Sequence, residues 1–401
     1  MTAAAATKQE RPQGGKRYVG SMAVVAELPA QVRDLFALAR RDRRAAENAL
    51  GALPVDEQVA LICQTPVSRR AELLELMPEP ERVVPALPEA ELVFTVKGIG
   101  RADTAWLLAH ATDDQLVACV DLDAWQDLTP DREALAEWIA TFGEADDDTL
   151  MRGAQALDPE LIMLWLHDRA DVTMKPNDSD GGQDWSPPAG GSTLDGVFYL
   201  VAKRSSDDLD VAMRLLALLF ESDYWFYFRM LQSVAWELPS ENEEFALRWR
   251  AGRLQDLGFP AWDEAMAIYA QPRRDELERL PDAAPKVGEW HLPVFMPELP
   301  AVADAQLSLF RAAAALDDEE RRAFAYAFLA LANQVAVADK LPLGDVESIP
   351  KAIEKAAQVA SRGLDWLAAR FDVEPALVLR RAPLERLFRI GVHLDRPEAA
   401  S

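Results

Sequence analysis

The chain has 401 residues, half of them hydrophobic and 27% charged, the make-up of a globular protein that buries a core rather than of a disordered one. Its 67 acidic and 42 basic residues leave a formal net charge of −25, which repels nucleic-acid phosphates and anionic membranes, so neither is expected as a partner. Two cysteines, Cys63 and Cys119, are too few for a disulfide framework and point to a reducing, cytoplasmic setting.

Residues 1–20 are polar, contain Pro12, Gly14 and Gly15, and read as a disordered tail. Residues 21–173 read as a helical-repeat domain. Its first part is basic: residues 1–50 hold nine basic and five acidic groups, dominated by Arg33, Arg40, Arg41, Arg43 and Arg44. That run is a candidate docking patch for an acidic partner. Helix starts then recur at Leu53-Pro54, Met77-Pro78, Leu87-Pro88, Leu128-Thr129-Pro130 and Leu157-Asp158-Pro159. Thr129 and Asp158 are expected N-caps, with Pro130 and Pro159 at the first helical position. Asp113-Asp114 and Asp146-Asp147-Asp148 suit the positive ends of helix dipoles. Between the starts, apolar residues fall at three- and four-residue spacing, as in amphipathic helices sharing a core. The starts are unevenly spaced, which fits an irregular superhelix better than a strict solenoid.

Residues 174–196 are rich in Gly, Pro, Asp and Ser and read as a flexible linker. Val197 to Val201 has the residues of a short strand, although the sequence offers no evident partner for it. Residues 197–280 form an aromatic-rich helical region in which Ser240 and Glu243 are spaced as a capping box. Residues 281–303 are a proline-rich connector, and residues 304–395 a C-terminal helical domain. There, Asp317 and Glu320 form a second capping box. Ala323 to Ala338 reads as a buried helix, too short to span a membrane. Ile353, Ala357, Ala360, Leu364, Leu367 and Phe371 make a seam of alternating three and four. The expected fold class is therefore mostly all-α: an irregular helical-repeat superhelix followed by a helical C-terminal bundle, with at most a minor β element.

Signatures of chemistry are sparse. His110, His167, His291 and His393 lie far apart in sequence, and no metal-ligand, phosphate-loop or nucleophile-elbow spacing occurs. Asp178, Asp180 and Asp184 miss the glycine and glutamate positions of a calcium loop. No catalytic, cofactor or metal residue is assigned. The densest constellation is aromatic: Trp225, Trp236 and Trp249 with Arg248, Arg250 and Arg253, a candidate pocket for a planar anion or a peptide.

The stretch from Leu73 to Glu81, LLELMPEPE, with Leu87-Pro88-Glu89-Ala90-Glu91, resembles the helical N-terminal cytosolic domain of MgtE magnesium transporters over residues 28–170. The transporter's membrane part has no counterpart here. Leu257-Gly258-Phe259-Pro260, Ala332-Asn333-Gln334-Val335 and Leu387-Phe388-Arg389-Ile390-Gly391 are similar to an uncharacterised bacterial family of unknown function. The expected role is a non-enzymatic scaffold or adaptor that binds another protein through the helical-repeat surface of its N-terminal region, with the C-terminal block as a base or a homodimer surface. A magnesium-responsive module, which the transporter resemblance implies, and an enzyme built on the aromatic pocket are the alternatives.

Overall fold

The structure, a computed structural model, describes residues 29–176, 185–203, 207–281 and 307–394. The tail 1–20, nearly all of the connector 281–303, the loop carrying Asp178, Asp180 and Asp184, and His291 lie outside those residues.

The first part is a run of short helices: α1 (Ala30–Ala39), α2 (Arg43–Gly51), α3 (Val55–Gln64), α4 (Val67–Leu74), α5 (Pro80–Val83), α6 (Glu89–Ile99), α7 (Arg101–Leu108) and α8 (Asp113–Asp123). A small hairpin follows, β1 (Trp125–Gln126) and β2 (Thr129–Pro130), then α9 (Arg132–Ala145), α10 (Asp147–Ala156) and α11 (Pro159–Arg169). Next come β3 (Ala170–Met174), β4 (Phe198–Ala202), α12 (Asp207–Ser222), α13 (Tyr224–Trp236), α14 (Pro239–Asp256), α15 (Trp262–Ala265) and α16 (Arg274–Glu278). The C-terminal block contains α17 (Ser308–Ala314), α18 (Asp318–Ala338), α19 (Ser348–Phe371), α20 (Pro375–Arg381) and α21 (Leu384–Leu394). The chain is thus mostly helical, with two small antiparallel sheets among the described residues. No described helix is long and apolar enough to cross a membrane.

Alternate helices stack on one another. The row α4, α6, α8, α10, α12 runs along one side, and α7, α9, α11 form a second row against it. Each helix is too short to hide its apolar face alone, so stacking supplies the core, as in repeat folds. Trp138, Phe142, Trp165 and Tyr227 are fully buried in it, and burying such a side chain contributes about 1.5–3 kcal/mol. Several buried polar groups are paired inside the array. Arg70 bonds the Glu91 carboxylate at 2.8 Å, the Thr95 hydroxyl at 2.8 Å and the Thr65 carbonyl at 3.0 Å. Asp123 receives Lys97, Arg101 and the Trp138 indole, which joins α6, α7, α8 and α9.

Three local expectations are corrected. Thr129 is not an N-cap. It pairs with Gln126 in the hairpin, which Asp127 turns with a φ of 54°, and Asp131 caps α9 by accepting from Ala134 N at 3.1 Å. The strand over 197–201 has a partner: β4 pairs antiparallel with β3 from Ala170↔Ala202 to Met174↔Phe198, and Ser192 bridges Leu200 on the other edge. A partner almost thirty residues upstream, at the end of a helix, has no local signal. Helix α14 starts at Pro239, so Ser240 and Glu243 are already inside it and form no box; Glu243 takes the Arg132 guanidinium at 2.6 Å instead.

The Asp317–Glu320 box does form, and Ala357, Ala360, Leu364 and Leu367 are buried along α19, around which α17, α18, α20 and α21 pack. The loop before α19 closes on the first part of the chain: Gly344 lies against Asp123, and Lys340 reaches Asp127 at 3.6 Å.

Candidate functional site

Helix α14 is amphipathic in an unusual sense, because its inward face carries arginines. Asn242, Ala246, Arg250 and Leu254 are buried at four-residue spacing. Arg250 donates from Nε to the backbone carbonyl of Asp121 at 2.8 Å and lays its guanidinium 4.7 Å from the Trp125 ring centroid. Arg253, one turn on, is bidentate twice. Its Nε and Nη2 reach the two Asp121 oxygens at 2.6 and 2.9 Å, and its Nη1 and Nη2 reach those of Asp158 at 2.8 and 2.7 Å. Asp121 lies in the last turn of α8 and is buried, and Asp158 is the residue that opens α11. One guanidinium therefore pins α14 to two helices of the array.

The electrostatics follow from burial. Desolvation pushes the Arg250 guanidinium down to about 10. It acts on Arg253 too, but the bonds to Asp121 and Asp158 outweigh it and raise Arg253 above the ordinary arginine range. Arg253 stays charged, and the fork geometry matches two carboxylates as only an arginine can.

This lock sets the rotation of α14 about its axis and so decides what faces out. Leu238, Phe245 and Trp249 are exposed, spaced by seven and four residues. Helix α13 presents a matching stripe. Tyr227, Met230, Leu231 and Val234 are inside, while Trp225, Arg229 and Trp236 point the other way. Trp225 and Trp236 are eleven residues apart, three helical turns, hence on one face. Trp225 is 70% exposed, Trp236 65% and Trp249 58%. The two sets are joined along the chain at the turn between the helices, where Leu238 follows Trp236 by two residues. Tyr224 and Phe228 pack edge-on against Trp225, with ring centroids 6.0 and 6.4 Å away, and steady it from behind.

The six residues expected to share a pocket are therefore divided by the helix surface. Arg250 and Arg253 turn inward to Asp121 and Asp158, whereas Trp225, Trp236, Arg248 and Trp249 are exposed. Arg248 lies over the Phe245 ring at 5.6 Å and pairs with Glu244 at 3.6 Å. Of the arginine run, Arg33, Arg40, Arg41, Arg43 and Arg44 are all exposed on α1, α2 and the turn between them. Arg43 also reaches Glu47 at 2.9 Å and the Glu75 carbonyl at 2.8 Å. Sequence reasoning missed Asp121, Asp158 and Trp125, which lie 95 to 132 residues from Arg253 and carry no shared motif with it. Among the described residues no group of three or more His, Cys, Asp and Glu could hold a metal ion. A cleft of about 270 Å³ between the α2–α3 turn and α5 is lined by Leu53, Pro54, Gln58, Pro78, Glu79 and Arg82, and nothing in it converges on one point.

Comparison with known families assigns the chain. The model of a family of unknown function, DUF6178, matches residues 47–396. The chain belongs to this family. No curated protein and no solved structure matches it. The DUF6178 span begins within α2, so the Arg253 lock and both aromatic stripes fall inside it, while Arg33 to Arg44 precede it.

Proposed function

We propose that this chain is a non-enzymatic scaffold or adaptor that binds another protein through its helical surface. The observation that carries the reading is the run of outward-facing Trp225, Trp236, Leu238, Phe245 and Trp249 along α13 and α14. Large apolar side chains grouped in this way on a surface mark interaction sites. Tryptophan in particular recurs among the residues that supply most of an interface's energy. Behind the stripes, buried aromatics and the Arg253 lock give a stiff backing, so little ordering entropy remains to be lost on binding. The exposed arginines of α1 and α2 offer a second, basic contact for acidic groups of a partner. The reading sets the protein in the reducing cytoplasm, where Cys63 and Cys119 stay free thiols.

The test is photo-crosslinking in the native cell, with a crosslinkable residue placed at Arg229 or Arg248, beside the tryptophans, and at Lys351 on α19 as a control. A discrete, saturable adduct is expected from the first two positions and not from the third. It should vanish when Trp225, Trp236 and Trp249 are changed to Ser. Absence of any such adduct in cells expressing the folded chain overturns the reading. Changing Arg40, Arg41, Arg43 and Arg44 to Glu in the same experiment decides whether the basic run belongs to the interface.

A further inference from the structure

The stripes do not lie on neutral ground. From residue 221 to residue 256 the exposed carboxylates are Glu221, Asp223, Glu237, Glu241, Glu244 and Asp256, against two exposed guanidiniums, Arg229 and Arg248. There is no lysine in that stretch. Arg248 and Glu244 engage each other and Asp223 caps α13 through the Phe226 amide, which leaves Glu221, Glu237, Glu241 and Asp256 against Arg229. Two further arginines of the stretch, Arg250 and Arg253, are withdrawn into the lock, and Glu243 is taken by Arg132. The surface that this stretch leaves to a partner therefore carries large exposed aromatics and an excess of carboxylates.

Resting on the reading above, we propose that the occupant of this surface is a basic amphipathic segment of another protein, with apolar side chains flanked by Lys or Arg. Three physical arguments select it. The exposed faces of Trp225, Trp236 and Trp249 attract cations through their ring quadrupoles. The bordering carboxylates steer a basic segment and reject an acidic one. The tryptophans of α13 are separated by about 16 Å along the helix, so an occupant of about a dozen helical residues covers that stripe. The same features disfavour two other occupants. A second copy of this chain brings a net charge of −25 against a charge of the same sign. Helices that lie on anionic lipid carry Lys and Arg on the polar face beside the aromatic one, the reverse of what borders these tryptophans.

The experiment selects binders from a random 16-residue peptide display library on the full chain, then measures chosen peptides by fluorescence anisotropy. Selected peptides are expected to carry net positive charge with apolar residues at three- and four-residue spacing. Changing Trp225, Trp236 and Trp249 to Ser should weaken them at least tenfold, and changing Glu237, Glu241 and Glu244 to Gln several-fold, the second loss shrinking in high salt. Since all six positions are exposed, the variants should keep the wild-type melting temperature, which is measured alongside. Neutral or acidic winners, or winners whose affinity ignores the tryptophans, overturn the proposal. So does sedimentation of the chain with anionic lipid vesicles through the same tryptophans. If crosslinking at Arg229 or Arg248 captures a cellular protein while basic peptides fail to bind, the partner's chemistry is wrong and the scaffold reading stands; if neither binds, both fall.

Discussion

Gly363 and Gly391 face each other where α19 and α21 cross in antiparallel directions. A Cβ at Gly363 would overlap the carbonyl oxygen of Leu387, and one at Gly391 the carbonyl oxygen of Val359. Each glycine thus lets the other helix's backbone come into contact, and the contact is reciprocal. The obstacle in both cases is backbone, which a rotamer change does not relieve. Gly363→Ala and Gly391→Ala should each destabilise by about 1–3 kcal/mol, the usual cost of overpacking a tight core, although alanine is the better helix former by about 1 kcal/mol. Chemical denaturation of the two variants checks this. Gly252→Ala is the matched control: nothing lies within 4 Å of an added Cβ on that exposed turn of α14, so it should gain the helix-propensity term.

Acid stability should depend on two capping aspartates. Asp131 accepts backbone hydrogen bonds from Ala134 at 3.1 Å and Glu133 at 3.0 Å, and Asp146 accepts one from Thr149 at 2.6 Å. Those bonds favour the charged form and hold both carboxyls below the ordinary aspartate value. A depressed folded pKa contributes stability that is fully present above the unfolded value of about 3.9 and is lost as pH falls through the folded one. The wild type should therefore lose melting temperature below about pH 4 more steeply than Asp131→Asn/Asp146→Asn, in which the caps remain but no longer titrate. At neutral pH, Ala at either position should cost about 1 kcal/mol. Melting curves across that pH range give both results.

Much of the fold was legible because its signals are local. Asp317 with Glu320, the seam from Ala357 to Leu367 and the aspartates before α10 each act within one or two turns of a helix. The same locality explains the misses. Thr129-Pro130 carries the residues of a helix start, yet the preceding Asp127 takes up a left-handed conformation and closes a hairpin that uses Thr129 as a strand residue. Strand β4 is recognisable by composition, but its partner β3 follows directly on α11 and reads as the helix's continuation. At the candidate site the sequence showed which residues cluster and not which way they face. Arg248, Trp249, Arg250 and Arg253 are neighbours in sequence and divide between surface and core because Asp121 and Asp158, over 90 residues away, claim two of them. Such a pairing is invisible without the packing of α8 and α11 against α14.

Neither thiol should react while the chain is folded. Cys119 is fully buried, and burial pushes the thiol well above its ordinary pKa, with Asp123 adding to the effect. Cys63 is raised in the same direction by burial first and Glu91 second. Since the thiolate is the reactive form, native protein should release almost no colour from a thiol-disulfide reagent at pH 8 over an hour, and both equivalents at once in denaturant. Rapid native labelling of the buried Cys119 would show that its helix opens locally, whereas the partly buried Cys63 needs no such opening to be reached.

The Arg253 lock makes the sharpest prediction about how the stripes are held. Asp121 is 1% exposed, so removing its partner leaves a carboxylate in the core with only Arg250 nearby. Arg253→Met should cost about 3–5 kcal/mol, because breaking a buried pair from one side leaves an uncompensated charge. Asp121→Asn should cost less, since Arg253 keeps both oxygens of Asp158. Combining Arg253→Met with Asp121→Leu should recover only part of the loss, since one of the two orphaned carboxylates is removed while that of Asp158 stays without its guanidinium. A double-mutant cycle by denaturant unfolding measures the coupling between the two residues. Native-state hydrogen exchange adds the structural half of the test. With the lock broken, amides of α14 should exchange faster than those of α18 and α19, which do not depend on it. Equal acceleration throughout the chain would mean that Arg253 supports the whole fold and not the setting of α14 alone.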